Sequence, residues 1–200
     1  MQHKTKRMDF AGRHLTDFLT KILSESGFSL VTKSERLIPR DIKEKLCYVA
    51  LDLASEKETS VRYELPDGQE IPIGRERYQA PEALFNPSLA GRAGGGISKL
   101  IHDSIEESEE SIRPELYMNV VLAGGSSLLP GLRERIEKDL KSLAPSTMPV
   151  RVIASPDRMY AAWVGGSVLG SLSTFQMMWI TREEYEESGP RVVRQRCRGH

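Results

Sequence analysis

The chain has 200 residues, enough for about one large domain or two small ones with a buried core. Hydrophobic residues make up 39% of it and charged residues 28%, which excludes a disordered chain and a collagen-like one. The 28 basic residues balance the 28 acidic ones, so no global field attracts nucleic acid or an anionic membrane, and neither is expected as a partner.

Targeting and redox signals are weak in this sequence. The first residues lack the apolar core of a signal peptide, and no window reaches the roughly 18 apolar residues of a membrane span. Two cysteines, Cys47 in an apolar stretch and Cys197 near the end, indicate no disulfide framework and no metal cluster. We therefore expect a soluble, intracellular protein.

The N-terminal part of the sequence predicts two helices. Apolar residues recur at helical spacing over 15–23, and Gly27 is typical of the end of such a helix. A second helix is predicted after it, with Pro39 in the first turn, where proline is tolerated. Its apolar face would be formed by Ile42, Leu46 and Val49.

The middle of the sequence predicts a hairpin, an irregular joint and a third helix. Extended segments between residues 60 and 73 flank Pro66-Asp67-Gly68, a turn in which proline fixes φ and glycine is permissive. Repeated proline and glycine over 78–96 predict irregular structure, a flexible joint and the main internal boundary. From Ile97 a helical stripe resumes and ends in an acidic run, which is typical of a solvated surface.

A β-α-β unit is predicted next. Residues 118–123 have the pattern of a parallel strand buried on both faces, and a right-handed crossover would join them to a second strand at 150–154. The connecting helix is predicted from about Pro130, with an apolar side formed by Leu132, Ile136, Leu140 and Leu143. Beyond it, the sequence predicts an apolar helix at 163–172, an aromatic-rich segment at 175–180, an acidic helix around 183–187 and a basic tail.

The turn between the first strand and the helix reads Gly124-Gly125-Ser126-Ser127 and has two interpretations. Glycines before a helix let a ligand approach free N–H groups, so a nucleotide can bind there. Alternatively, the glycines only allow a tight turn, and Ser126 or Ser127 caps the helix. The spacing matches neither a Walker loop nor a dinucleotide fingerprint, so both interpretations stay open.

Other polar residues give no catalytic signal. Arg40, Lys43 and Glu44 fall within one turn of the second helix, where such side chains either contact a base or ribose or simply face solvent. The four histidines lack metal-ligand spacing, and no G-x-S-x-G motif is present. The sequence predicts no catalytic residue and no metal site.

Several long strings resemble segments of the actin family. The longest is Asp41-Ile42-Lys43-Glu44-Lys45-Leu46-Cys47-Tyr48-Val49-Ala50-Leu51-Asp52. Others, in the same order as in actin, are 10–15, 63–69, 143–148, 172–176 and 178–181. Because these strings are chemically arbitrary and collinear from about Asp9 to Cys197, the sequence is identified as a member of the actin family.

The resemblance implies an α/β fold, the actin-like ATPase fold, in which ATP and a divalent cation lie between two related domains. It covers only the second half of that fold, so a truncated, partial fold is expected. Residues 1–92 resemble the outer lobe of the larger domain (helices plus hairpin), 93–160 part of its inner lobe (a partial β-α-β unit), and 161–200 the C-terminal helices and tail. The family's phosphate hairpins and catalytic residues belong to the other half, so ATP hydrolysis by this chain alone is not expected.

The base-and-ribose side of the family's ATP site is the part that the resemblance retains. Leu129 stands where actin has a tyrosine, and Met159 replaces a lysine beside the base. We therefore expect weakened ATP binding, with Mg²⁺ held only through the nucleotide phosphates. The site residues implied by the resemblance are Arg40, Lys43, Glu44, Gly124, Gly125, Ser126, Leu129 and Met159.

A partner groove is implied near the C-terminus. Actin receives the next subunit or a helix of an actin-binding protein in a groove that is matched here by Leu169, Leu172, Thr174 and Met178. The alternative is that Leu169 and Leu172 simply belong to the core. Expected partners are actin, actin-binding proteins and, because a half-fold leaves open edges and apolar surface, a chaperone.

The resemblance implies an actin-like structural protein of the cytoplasm and cytoskeleton. Two alternatives remain open. One is a nucleotide-independent interaction module or regulator built on the same half of the fold. The other is a fragment without an independent function.

Overall fold

The computed structural model describes residues 5–28, 30 and 35–197. The first part contains α1 (Gly12–Glu25), α2 (Leu37–Leu46), β1 (Val61–Glu64), β2 (Glu70–Ile73) and α3 (Glu76–Glu82). The second contains α4 (Ile97–Glu106), α5 (Arg113–Met118), β3 (Val120–Val121), α6 (Leu132–Leu143) and β4 (Val152–Ile153). Three helices follow, α7 (Ala161–Ser171), α8 (Arg182–Ser188) and α9 (Pro190–Arg196). This mixture of helices and strands fits the expected α/β class.

Helices α1 and α2 agree with the prediction except at one position. The apolar stripe of α1 is buried, and Pro39 is the third residue of α2. Val49 does not extend the face of α2, because that helix ends at Leu46 and the chain continues in extended form. Val49 is nevertheless buried, and its N–H donates to the Pro130 carbonyl at 2.8 Å. Val49 is therefore held by a contact with a segment distant in sequence rather than by the face of α2.

The hairpin forms as predicted. Strands β1 and β2 pair antiparallel, with Val61 opposite Ile73 and Glu64 opposite Glu70. Gly68 in the turn has a φ of +84°, a left-handed value that suits glycine. The isoleucines Ile71 and Ile73 of β2 are buried in the core.

The prediction of irregular structure over 78–96 is wrong in part, because the end of α3 and a 3₁₀ turn at Pro87–Ala90 lie there, whereas residues 83–86 and 91–96 are turns and irregular structure. Pro81 lies inside α3 and supplies no N–H to the Arg77 carbonyl one turn earlier. That carbonyl instead accepts from the Tyr48 N–H at 3.0 Å. The proline is tolerated because a distant segment supplies the missing donor.

The β-α-β unit is present but shorter than predicted. Strands β3 and β4 pair parallel, with Val120 opposite Val152, and α6 connects them. The expected strand at 118–123 is wrong at its start, since Met118 ends α5, and wrong in its burial, since Val121 is 66% exposed. In the described part of the chain this sheet has two strands, and the face of β3 that carries Val121 is open. The last apolar residue assigned to α6, Leu143, is also 43% exposed.

The acidic run after α4 is not wholly solvated, contrary to the prediction. The Glu106 carboxylate accepts from Arg113 at 2.8 Å and from the hydroxyl of Tyr117 at 3.0 Å. Tyr117 is completely buried and also contacts His102 Nδ1 at 2.8 Å. This network joins α4 to α5.

The hydrophobic core is continuous from Phe10 to Val152 and includes residues on both sides of the predicted boundary. The chain packs closely at that boundary. The backbone of Gly96 lies against Phe85, because a Cβ added at Gly96 would be 1.9 Å from the Phe85 carbonyl oxygen. Helix α7 contributes no buried residue. The predicted basic tail forms α9 up to Arg196, while residues 198–200 lie outside the described residues. Among the described residues, no helix combines the length and apolar character that a membrane crossing needs.

Candidate functional site

A cavity of about 520 Å³ opens between α1, α2 and the turn after β3. It is lined by residues from four parts of the chain. They are Gly12, Arg13, Leu15, Thr16, Asp17, Arg36, Arg40, Lys43, Glu44, Gly125, Ser126, Leu128, Leu129 and Met159. Seven of the eight residues proposed from the sequence are in this set, and the eighth, Gly124, precedes Gly125 directly.

Lys43 fixes the polar wall of the cavity. Its Nζ donates to the Gly12 carbonyl and to Thr16 Oγ1, both at 2.8 Å, and so ties α2 to the first turn of α1. Burial lowers the pKa of Lys43, and nearby Glu44 partly opposes that effect. An ammonium group has three donors, so two bonds within the described residues leave one N–H that can serve a ligand.

Arg40 and Glu44 form the outer edge of the same wall. Arg40 Nε donates to Glu44 Oε1 at 2.9 Å, an i,i+4 pair on α2 whose side chains are 63% and 54% exposed. The hydrogen bond and charge of Glu44 raise the pKa of Arg40. The guanidinium plane and its stem can stack on a base, and the second carboxylate oxygen can accept from a hydroxyl.

The glycine turn forms the opposite wall. Gly124 has a φ of +89°, and residues Gly125–Leu128 form a 3₁₀ turn rather than the start of α6. A Cβ added at Gly125 would meet nothing within 4 Å, so the backbone is open to the cavity. On the other side of the cavity, the backbone of Gly12 lies close to the side chain of Ser126, because a Cβ added at Gly12 would be 2.8 Å from Ser126 Oγ.

The helix-cap interpretation of this turn is wrong. Helix α6 begins at Leu132, and its N-cap is Gly131 rather than Ser126 or Ser127. The hydroxyl of Ser127 instead donates back to the Gly124 carbonyl at 2.6 Å. Gly131 takes a φ of +80° and lies so close to Val49 that an added Cβ would be 2.2 Å from the Val49 oxygen. Close packing against Val49 and the positive φ thus require a glycine at the N-cap position of α6.

An apolar side completes the cavity. Leu129 is buried, whereas Leu128 and Met159 are 40% and 46% exposed. An apolar wall that faces hydrogen-bonding groups, in a space of several hundred Å³, fits the general form of a small-molecule site. The residues present therefore fit a flat heterocycle with a hydroxylated appendage, as a nucleoside has.

Sequence reasoning missed the face of α1 that lines the cavity. Gly12, Arg13, Thr16 and Asp17 fall at i, i+1, i+4 and i+5, which places them on one side of a helix. This spacing is the signal of a second, polar face of α1 beside its apolar stripe. Arg36 was missed as well, because an arginine just before a helix carries no pattern of its own.

The four groove residues are placed at the surface. Leu169, Leu172 and Met178 are 46%, 48% and 63% exposed, and Thr174 is also exposed. The alternative that Leu169 and Leu172 belong to the core is therefore wrong. Both tryptophans of the chain, Trp163 and Trp179, lie in the same region and are 74% and 53% exposed. We call residues 163–179 the apolar C-terminal surface.

No group of three metal-ligating side chains occurs within residues 5–28, 30 and 35–197. The family model described as Actin matches residues 1–198, nearly the whole chain.

Proposed function

This chain belongs to the actin family, and we propose that it is an actin-like structural protein of the cytoskeleton with a purine-side ATP site. The cavity between α1, α2 and the glycine turn carries the proposal, since seven of the eight residues that the resemblance implies line it. Family membership supports an actin-like protein, and the cavity adds a place for the nucleotide.

Each wall of the cavity suits one part of adenosine. Leu129 and Met159 offer apolar contact to the base, and Arg40 can stack on it from α2. The remaining donor of Lys43 and the free oxygen of Glu44 suit ribose hydroxyl groups. ATP supplies the phosphates that carry Mg²⁺, so the residues of this cavity need not bind the metal directly. We propose weakened binding, because leucine and methionine stand where actin uses a tyrosine and a lysine.

Calorimetric titration of the purified chain with ATP and magnesium tests this proposal. Circular dichroism first verifies that the chain is folded. We expect micromolar binding, reduced about tenfold by Glu44→Ala, because one hydrogen bond to a charged group is lost. The control is Glu64→Ala, which removes an exposed carboxylate from β1, away from the cavity.

The result separates the proposal from its alternatives. Failure of a folded chain to bind ATP would refute the nucleotide site and favour an interaction module. An unfolded chain would favour a fragment without an independent function. Unchanged affinity of Glu44→Ala would remove that residue from the site.

The apolar C-terminal surface favours a second function, that of an interaction module or regulator. Trp163, Leu172 and Met178 are large apolar residues that one stretch of the chain leaves exposed, and exposed apolar surface of this kind marks protein interaction sites. Actin or an actin-binding protein that presents an amphipathic helix would suit it, and a chaperone would bind it during folding. A cytoplasmic, cytoskeletal location accords with such partners.

Intrinsic fluorescence provides a label-free test of this second function. Because both tryptophans lie in the apolar C-terminal surface, a partner that covers it should shift their emission to shorter wavelength. The titrants are purified actin and an amphipathic actin-binding helix. An unshifted spectrum at saturating concentrations of both would argue against this use of the surface.

A further inference from the structure

The connection between β4 and α7 carries an exposed serine to which nothing above gives a role. The chain contains 11 prolines, and Ser155-Pro156 is the one place in the sequence where a serine or threonine directly precedes a proline. Ser155 is exposed, and its hydroxyl makes no hydrogen bond within the described residues. A free hydroxyl at the surface is the chemical group that a protein kinase modifies.

The backbone presents Ser155 at the start of a short turn. The Arg158 N–H donates to the Ser155 carbonyl at 3.2 Å, and Asp157 has a φ of −87° and a ψ of 11°, as the third residue of a type I turn does. Pro156 occupies the second position, where its fixed φ suits the turn. One backbone hydrogen bond and one exposed bond from the Arg158 side chain close the turn. Opening it into the extended form in which kinases bind a substrate therefore costs little.

Arg158 places a positive charge three residues after the serine. Its Nη1 donates to the Ser155 carbonyl at 2.9 Å, and its Nε donates to the Ser127 carbonyl at 3.1 Å. No carboxylate, including that of Asp157 in the same turn, pairs with Arg158 among the described residues. Its remaining N–H groups are therefore available to an anion.

We propose that Ser155 is a phosphorylation site for proline-directed serine kinases. The string Ser155-Pro156-Asp157-Arg158 matches what the cyclin-dependent members of that class bind, which is a serine, a proline after it and a basic residue three positions after the serine. Proline suits such a kinase because it brings no N–H that the pocket would leave unpaired. In the reaction, Ser155 Oγ attacks the γ-phosphorus of ATP held by the kinase. The new O–P bond replaces the bond to ADP, and the hydroxyl proton passes to the carboxylate base of the kinase.

The phosphate would meet Arg158, which already contacts the Ser155 backbone. Bonds from a guanidinium to a phosphate are stronger than bonds to a neutral carbonyl, so the phosphate competes with the Ser127 carbonyl for Arg158. Ser127 belongs to the glycine turn, so the modification acts on the side chain that ties this turn to the connection after β4. It requires no nucleotide in the cavity.

Incubation of the folded full chain with a purified cyclin-dependent kinase and ATP tests the site, with mass spectrometry as the readout. We expect one phosphoryl group per chain, on Ser155. Ser155→Ala should abolish incorporation, and Pro156→Ala should slow it by about tenfold or more, because an unpaired N–H then enters the kinase pocket. Ser146→Ala is the matched control, since Ser146 is also exposed but follows a proline, and it should leave incorporation unchanged. Circular dichroism checks that each variant is folded.

Phosphorus NMR of the fully phosphorylated chain tests the contact with Arg158. A neighbouring guanidinium favours the doubly charged phosphate. Arg158→Gln should therefore move the titration midpoint of the phosphoserine to higher pH. Arg92→Gln, which removes the same charge from an exposed position elsewhere, should leave the midpoint unchanged.

Each result decides one part of the proposal. Incorporation at another residue, or none in the folded chain, would overturn the site. A rate that Pro156→Ala leaves unchanged would overturn the proline-directed class of kinase. Equal loss of incorporation in Ser146→Ala would overturn the assignment to Ser155. The same titration midpoint with and without Arg158 would overturn the contact between the phosphate and this arginine.

Discussion

Replacement of Lys43 by methionine tests whether one side chain holds the two helices of the candidate site together. Lys43 Nζ donates to Gly12 O and Thr16 Oγ1, both at 2.8 Å. At the lower end of the usual range, a hydrogen bond to a charged group contributes about 1.5 kcal/mol, so the two together give about 3 kcal/mol. Burial disfavours the ammonium and lowers the pKa of Lys43, so the net loss is smaller. We expect Lys43→Met to lower the free energy of unfolding by about 2 kcal/mol.

Urea denaturation followed by circular dichroism measures this loss, and calorimetry on the same samples measures adenosine affinity. Lys45→Met is the matched control, since Lys45 lies two residues later on α2 and pairs with Asp41 at the exposed surface. The control should lose less than about 0.5 kcal/mol and bind adenosine normally. Equal stability of the two variants would refute the idea that Lys43 joins α1 to α2. Loss of stability without loss of affinity would make Lys43 structural only.

Three further predictions concern groups outside the cavity. Glu82→Gln removes one of two carboxylates that pair with the largely buried Arg135, while Asp139 stays in place. It should therefore cost about 1.5 kcal/mol in urea denaturation, against less than about 0.5 for the exposed control Glu134→Gln. Burial raises the pKa of Cys47 to about 12, so Ellman's reagent should modify one thiol, Cys197, in the folded chain and two in urea; two fast native thiols would contradict this. Burial also raises the pKa of Tyr63 and of Tyr117 to about 12. The hydrogen bonds that these two tyrosines donate, to Asp41 and to Glu106 respectively, raise the pKa as well. The folded state holds these two protons up to a higher pH than the unfolded state does, so the free energy of unfolding should fall as the pH rises from about 10 to 12. A free energy of unfolding that stays constant over this range would contradict the expected pKa shifts.

Local patterns predicted those elements whose limits are set locally. The stripe of α1, the proline in the first turn of α2 and the turn at Pro66-Asp67-Gly68 each depend on neighbours in sequence. The predictions fail where a contact between residues distant in sequence determines the local structure. Proline normally breaks a helix, but Pro81 is accommodated because Tyr48 donates to the Arg77 carbonyl.

Burial was harder to predict than secondary structure. The hydropathy of β3 indicated a strand covered on both sides, yet Val121 is 66% exposed. Hydropathy describes what a residue prefers, whereas burial requires another layer of structure to lie over it. The same reason explains why α7, apolar on all sides, has no buried residue.

The candidate site was predictable only to the extent that the resemblance named its residues. Spacing alone left Lys43 and Glu44 as ordinary helix-surface charges, and the cavity that joins them to Ser126 exists only in three dimensions. Arg13 lies in the resembling string 10–15, but the resemblance implied no site role for it, and no motif marked Arg36. They belong to the cavity because the packing of α1 against α2 brings them to it, and sequence spacing does not record that packing.

The cavity and the apolar C-terminal surface should behave independently. The walls of the cavity are fixed by α1, α2 and the glycine turn, whose apolar residues belong to the continuous core, while α7 adds nothing to that core. Trp163→Ser removes the side chain that is 74% exposed at the start of α7. We expect the unfolding free energy to change by less than about 0.5 kcal/mol and self-association in sedimentation velocity to decrease.

Adenosine affinity provides the decisive comparison for this last variant. It should match that of the unmodified chain, because Trp163 does not line the cavity. A large fall in affinity or stability would mean that α7 packs on the part of the fold that forms the cavity. In that case the exposed apolar residues would belong to the site rather than to a partner surface.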